Sequence, residues 1–112
     1  MRTLGWEIQR GRNTIGAVAV LEIKGGNGHF GYVVQKKWQN RGIGRSAAIE
    51  SLKLLKMTSR LKWLFTLSRK SSISSNAILL RCGFRITGTS NKIASNNIKN
   101  NSHWHWQLHL AK

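Results

Sequence analysis

The stretch Val33–Gly44 reads Val-Val-Gln-Lys-Lys-Trp-Gln-Asn-Arg-Gly-Ile-Gly, and it joins an apolar, β-rich run (Phe30 to Val34) to the start of a helical pattern. A strand that passes through a glycine-rich turn into a helix aims free backbone N–H groups and the positive end of the helix dipole at one point. A phosphate or diphosphate can sit there. Gly42 and Gly44 let the main chain approach an anion with no Cβ in the way. Lys36, Lys37, Arg41 and Arg45 place positive charge around the same turn. The spacing is neither the dinucleotide-binding glycine pattern nor a nucleoside-triphosphate loop ending in Gly-Lys-Ser/Thr. Taken alone, it is equally a plain turn between a strand and a helix.

The rest of the chain narrows the choice. With 112 residues it forms one small domain, just long enough for a core. An apolar content of 40%, with five Trp and three Phe, argues against disorder. No run approaches the roughly 18 apolar residues of a membrane span, and the N-terminus has no apolar signal-peptide core. The single cysteine, Cys82, can make no internal disulfide and fits a reducing cytoplasm. Nineteen Lys and Arg against three Asp and Glu give a formal charge of +16. That surface attracts polyanions whatever the fold, and because the cations are scattered it does not select nucleic acid.

Along the chain, Trp6–Arg10 reads as a short strand and Gly11–Asn13 as a turn. Thr14–Ile23 is a mostly apolar strand, Lys24–Gly28 a hairpin loop, and His29–Val34 the third antiparallel strand. From Arg45 to Thr58, Ala48, Ile49, Leu52 and Leu55 share one face while Lys53 and Lys56 lie away from it, the pattern of an amphipathic helix. Leu61–Leu67 reads as a core strand. Strand, loop, helix and strand in that order predict a crossover and a parallel pair. A short helix over Ile73–Cys82 stops at Gly83, and Phe84–Thr89 is a strand. Asn91–Ser102, rich in Asn, reads as a mobile loop. Trp104, Trp106, Leu108 and Leu110 alternate with polar residues, the period of a half-buried strand.

The order β-β-β, Gln39-x-x-Gly42-x-Gly44, helix, β, short helix, Gly83-Phe84, β, β resembles the GNAT superfamily of acetyl-CoA-dependent N-acetyltransferases. Within it the chain is most similar to the group that acetylates N-termini of ribosomal proteins. Gly31-Tyr32 in the central strand fits that group, and so does the stretch Ser72 to Phe84, which resembles its Asn-x-x-Ser-…-Leu-…-Gly-Phe signature. The similarity runs from Ile15 to Phe84, and the last strand fits loosely.

The resemblance implies an α/β (α+β) fold with a mixed, mostly antiparallel sheet. It implies that the loop from Gln39 through Asn40, Arg41, Gly42, Ile43 and Gly44 to Arg45 holds the diphosphate of acetyl-CoA. The pantetheine arm would run along Val33 and Val34, with Ser72 beside it. The substrate amine attacks the thioester directly, so the site needs a neutral amine, an oxyanion donor and a protonated leaving thiolate. Three departures stand out. The family Asn before the second helix is Ser72 here. The Tyr that many relatives use as general acid is Leu79, leaving Ser75 as the residue able to serve the thiolate. An acidic residue common before Gly-Tyr is His29, which could accept an amine proton; Glu22 on the preceding strand is a second candidate base. The family usually begins with a strand and two helices. Little precedes the second strand here, so the expectation is a single domain, 1–112, without most of those elements, and an exposed face open to dimerisation.

Other chemistry-bearing residues carry plainer readings. Trp38 packs at the surface or stacks on adenine. Glu7 and Glu50 pair with nearby cations. His103, His105 and His109 share a strand face with no Cys or carboxylate near them in sequence, and they read as a solvated edge rather than a metal site. Two functions therefore compete. One is transfer of acetyl from acetyl-CoA to a primary amine or protein N-terminus, without a metal. The other is a catalytically degenerate basic module on the same fold that binds nucleic acid or a ribosomal surface.

Overall fold

Alternation of apolar and polar side chains builds the first three strands, β1 (Arg2–Arg10), β2 (Asn13–Glu22) and β3 (Asn27–Val34). The computed structural model describes residues 2–23, 25–90 and 102–110. β1 turns tightly into β2, pairing Arg10 with Asn13 and Trp6 with Val18; β2 then pairs antiparallel with β3 through Val20 and Phe30. β1 starts earlier than Trp6, the expected boundary. Gly5 interrupts the strand preference ahead of Trp6, and the continuous ladder from Thr3–Leu21 to Glu7–Ala17 carries the strand through it.

After a 3-10 turn at Lys36–Trp38 comes α1 (Ile43–Thr58), then β4 (Trp63–Arg69), α2 (Ile73–Arg81), β5 (Arg85–Ser90) and β6 (His103–His109). The sheet order is β1-β2-β3-β4-β6-β5. β3 and β4 form the expected parallel pair; every other neighbouring pair is antiparallel. The mixed, mostly antiparallel α/β fold expected from the sequence is present. The loop expected at Asn91–Ser102 lies, except for Ser102, outside the described residues.

Both helices pack into one apolar cluster, which joins Val18, Val20, Phe30, Leu64 and Trp106 of the sheet to Ala48, Leu52 and Leu55 of α1 and Leu79 of α2. α1 buries the stripe foreseen for it, with Ser51 added and its hydroxyl donating to the Ala48 carbonyl; Ile49 is half-buried. α2 ends as expected at Gly83 (φ 97°), where the Gly83 N–H donates to Leu80 O and the Phe84 N–H to Leu79 O. Those two bonds, with Phe84 buried near Leu79, form a Schellman stop.

β4 differs from the core strand expected at Leu61–Leu67. It begins at Trp63, and only Leu64, Thr66 and Ser68 are buried, while Trp63 and Phe65 on the alternate face are exposed. Leu61 is fully buried but precedes the strand. β6 is not a sheet edge either. It sits between β4 and β5, so His105 and His109 lie opposite Leu67 and Trp63 within the sheet, and the His109 ring stacks on Trp63 at 4.5 Å. Non-local strand order is invisible to period-two patterning.

Candidate acyl-transfer cleft

The register between β3 and β4 covers only Asn27–Trp63, Gly28–Leu64 and His29–Phe65. Beyond His29, β4 keeps the pairing to β6 that runs from Trp63–His109 to Arg69–His103 but loses its pairing to β3, and the two parallel strands splay apart. A buried polar chain holds β4 on that side. The Trp106 indole N–H donates to Ser68 Oγ at 2.7 Å, and the Ser68 hydroxyl donates to Asn76 Oδ1 at 2.5 Å. The Asn76 amide in turn donates to the carbonyls of Arg69 and Lys70 at the end of β4. One side chain on α2 thus pins the helix to the strand that borders the splay.

At the mouth of the splay lies the Gln39–Arg45 loop, the turn expected from sequence to hold a diphosphate. Gln39 Nε2 donates to Val34 O at 2.8 Å, folding the loop back on β3. Asn40 (φ 62°) and Gly42 (φ 79°) are left-handed, and Gly42 is the N-cap of α1. For Asn that conformation is tolerated; for other side chains it costs about 1–2 kcal/mol. No side chain caps α1 and no acidic residue lies in its first turn. The first amides of an α-helix have no intrahelical acceptor, so this end presents unneutralised N–H dipoles. Ser74 Oγ donates to Asn40 Oδ1 at 3.3 Å, tying α2 to the loop.

Between the loop, the end of β3 and α2 lies a cleft of about 1020 Å³. Of the residues predicted to contact a cofactor, it is lined by Val33, Val34, Gln39, Asn40, Gly42, Gly44, Arg45 and Ser72; Ser75 lines it too. A smaller cavity of about 200 Å³ lies within the splay itself, bordered by Gly31, Tyr32, Thr66, Ser68, Ser75 and Leu79. Ser72, Ser75 and Tyr32 border both.

Arg41 and Ile43 do not border the cleft. Arg41 lies over the half-buried Trp38 ring at 5.1 Å, together with Arg10 at 5.3 Å and Lys37 at 5.8 Å, so Trp38 is occupied by cations. Neither His29 nor Glu22 borders either cavity. His29 is exposed on the sheet face that bears Trp63 and Phe65, and Glu22 lies opposite Gly28 near the end of β2. Glu50 pairs with Lys53 at 3.7 Å, both exposed, and Glu7 accepts a hydrogen bond from Gln9.

Two site residues had no assigned role in the sequence reading. Asn76 lies in the aligned stretch, but its partner Ser68 is on another element. Tyr32 was visible in Gly31-Tyr32; its environment was not. Burial pushes the Tyr32 hydroxyl above its ordinary value of 10.0, the adjacent Ser75 hydroxyl pulls it partly back, and Cys82 adds a further upward push. Yet Tyr32 Oη, fully buried, makes no hydrogen bond to any of the described residues. The Cys82 thiol is also raised by burial, above its ordinary 9.0.

These shifts fix the sign of a pH effect. The folded chain holds both protons to higher pH than the unfolded chain, so the stability they contribute is complete below about pH 9 and is lost as pH rises through the folded values. Melting curves should therefore fall in the alkaline range, Cys82 acting first. In Cys82→Ala the onset should move to higher pH. An unchanged onset would show that other groups govern the fall.

The whole arrangement offers an unneutralised helix start, a cleft leading from it, an opened strand edge and two serines, Ser72 and Ser75, at the junction. Comparison with known proteins places it. Residues 1–85 match a family described as acetyltransferase (GNAT) domain. No curated protein sequence matches the chain. Among solved structures it is similar to a Bacillus subtilis acetyltransferase in complex with CoA (TM-score 0.79, 18% identity), covering 98% of this chain and 78% of that one. It is also similar to a ribosomal-protein-S5-alanine acetyltransferase from Vibrio fischeri (TM-score 0.77, 20% identity), covering 88% of this chain and 56% of that one. A spermidine N-acetyltransferase chimera from Vibrio cholerae and hSSAT aligns at TM-score 0.83 and 15% identity, over 96% of this chain and 68% of that one.

Proposed function

The chain belongs to the GNAT acetyltransferase family, and we propose that it transfers the acetyl group of acetyl-CoA to a primary amine, with a protein N-terminus as the acceptor class. The observation that supports this most is the junction of the uncapped α1 start with the β3–β4 splay. One feature suits a diphosphate and the other an extended thioester arm. Gly44 adds to it. A Cβ there would meet Tyr32, Ile78 and Val34 at 3.5–3.6 Å, ordinary contact. A glycine inside a helix costs roughly 0.5–1 kcal/mol relative to Ala. Neither packing nor a positive φ calls for it, which leaves close approach of a ligand as its use.

When bound, acetyl-CoA supplies an acyl group that a neutral amine attacks directly. The amides at Gly42, Ile43 and Gly44 hold the diphosphate, with Arg45 beside it, and Val33 and Val34 flank the arm. Ser75, at the junction of the two cavities, donates its hydroxyl hydrogen bond to the departing sulfur. The amine gains a bond to carbon as the carbon–sulfur bond breaks, and its extra proton leaves to a base. An acceptor entering from the face that bears Trp63 and Phe65 meets His29 on the same strand as Gly31, where an imidazole takes that proton through water. Glu22 is left without a part.

The first test is a thermal melt with CoA. A ligand at a hundred times its Kd stabilises by about 2.7 kcal/mol, and no shift at millimolar CoA in low salt would overturn the assignment. The acceptor class is tested by acetyl transfer to an Ala-terminal peptide against spermidine; a preference for spermidine would overturn the protein N-terminus. Ser75→Ala should lower kcat about 10- to 100-fold at unchanged KM for acetyl-CoA; an unaltered kcat would remove Ser75 from the chemistry.

A second reading rests on the cations gathered on Trp38 beside the loop. They favour a polyanion-binding flank, with the fold serving nucleic acid or a ribosomal surface. It predicts oligonucleotide binding that falls steeply with salt and competes with CoA; binding without competition would separate the two ligands.

A further inference from the structure

A buried polar group without a partner is uncommon in a native fold, because it gives up its hydration for nothing. Tyr32 Oη is such a group, the one found among the described residues, and Tyr32 is the single tyrosine of the chain. Its ring has neighbours on three sides. The Phe30 ring centroid lies at 6.2 Å on the same strand, Gly44 lies on one flank with room left for a Cβ in ordinary contact with Cε2 at 3.5 Å, and Ser75 of α2 and Cys82 just past it lie nearby. Phenylalanine would fill the same volume without the orphaned hydroxyl, so packing gives no reason for the oxygen.

What lies beside it is Ser75, which with Ser72 and Tyr32 itself borders both the large cleft and the splay. A serine hydroxyl has one proton and two lone pairs. Left to itself it donates as readily to a helix carbonyl one turn back as to a ligand. A phenol donating to Ser75 Oγ occupies a lone pair and leaves the serine proton for the third direction, into the cavity.

We propose that Tyr32 is a positioning residue for Ser75: on ligand binding its Oη–H donates to Ser75 Oγ and turns the Ser75 proton toward the sulfur of CoA. This rests on the acetyl-CoA reading above and names how its leaving group is served when Leu79 offers no donor. No proton need leave Tyr32, whose burial keeps it in the phenol form. The hydrogen bonds run Tyr32 to Ser75 to sulfur, and the thiolate is released already solvated.

The test uses the thiol of bound CoA as its own reporter, needing no acceptor. Thiolate absorbance is followed against pH with saturating CoA on the wild type, Tyr32→Phe, Ser75→Ala and the double variant. The charged groups bordering the cavities (Arg45 from α1, Arg69 from β4, Arg81 from α2), and Cys82 just past α2 beside Tyr32, are the same in all four proteins. The bound thiol should titrate about one pH unit lower in the wild type than in Tyr32→Phe, a tenfold difference in thiolate fraction. Ser75→Ala should raise it at least as far, and the double variant no further, because one residue acts through the other.

Without CoA, Tyr32→Phe should melt at or above the wild-type temperature, since an unpaired buried hydroxyl is removed. A clearly lower melting temperature would make Tyr32 a structural residue and overturn the proposal. So would equal thiol titration in wild type and Tyr32→Phe, or additive shifts in the double variant. If CoA gives the wild type no thermal shift, the acetyl-CoA reading fails first and takes this inference with it.

Discussion

Replacing Gly42 by Glu is expected to weaken CoA binding at least a thousandfold, about 4 kcal/mol, while leaving the protein folded. Gly42 sits at φ 79° as the N-cap of α1, and a Cβ there meets nothing closer than an Arg45 guanidinium nitrogen at 3.9 Å. Space is therefore available, and the cost to the apo fold is the left-handed backbone alone, about 1–2 kcal/mol. Ligand binding loses more. A carboxylate at the N-cap accepts from the first-turn amides itself, so it competes for the donors a diphosphate would use and repels that diphosphate at the same point. Gly42→Asn separates the two effects, because Asn tolerates the left-handed region and adds no charge. Calorimetric titration with CoA should find Gly42→Asn within about tenfold of wild type. Equal, unimpaired binding by Gly42→Glu would show that the diphosphate sits elsewhere.

That the loop could be read from its own residues, while the groove beside it was expected only through the family resemblance, follows from how each is encoded. Gln39, Gly42 and Gly44 act locally: the turn, the cap and the free amides all lie within one loop and one helical turn, so the local sequence reports the turn and the helix start, and the second motif at Ser72–Phe84 is what favours an anion there over a plain turn. The same holds for the Schellman stop at Gly83 and the buried stripe of α1. The β3–β4 splay is another matter. It lies where β4 stays paired to β6 but no longer to β3, and that strand order joins Trp63–Arg69 to His103–His109, far away in sequence. Nothing in the alternation of Trp104, Trp106 and Leu108 specifies which neighbour they take. His29 shows the same limit. Its strand was evident, but whether its side chain faced the helices or the opposite side depended on the β2 and β4 registers. Tyr32 was legible as a residue and silent as a group, since its missing hydrogen bond exists only once α2 has docked.

The docking of α2 also sets the second large effect. Trp106→Ala should destabilise the fold by about 4–5 kcal/mol, a large share of the 5–15 kcal/mol typical of a small domain. Trp106 is 2% exposed in the cluster shared by the sheet and both helices, so truncation leaves a large cavity where α1, α2 and β4 meet. It also strips Ser68 Oγ of its indole donor. Trp106→Phe keeps much of the ring and removes that N–H, and should cost about 2 kcal/mol. Asn76→Ala should cost a similar amount from the other end of the chain of bonds, since it frees Ser68 and the Arg69 and Lys70 carbonyls together. Urea unfolding of Trp106→Phe, Asn76→Ala and the double variant measures their coupling. Because Ser68 is shared, the double variant should lose clearly less than the two single losses added together. Its CoA affinity should fall with its stability, because the same bonds hold β4 away from β3. Strict additivity would mean that Ser68 links nothing, and that the splay is held by apolar packing alone.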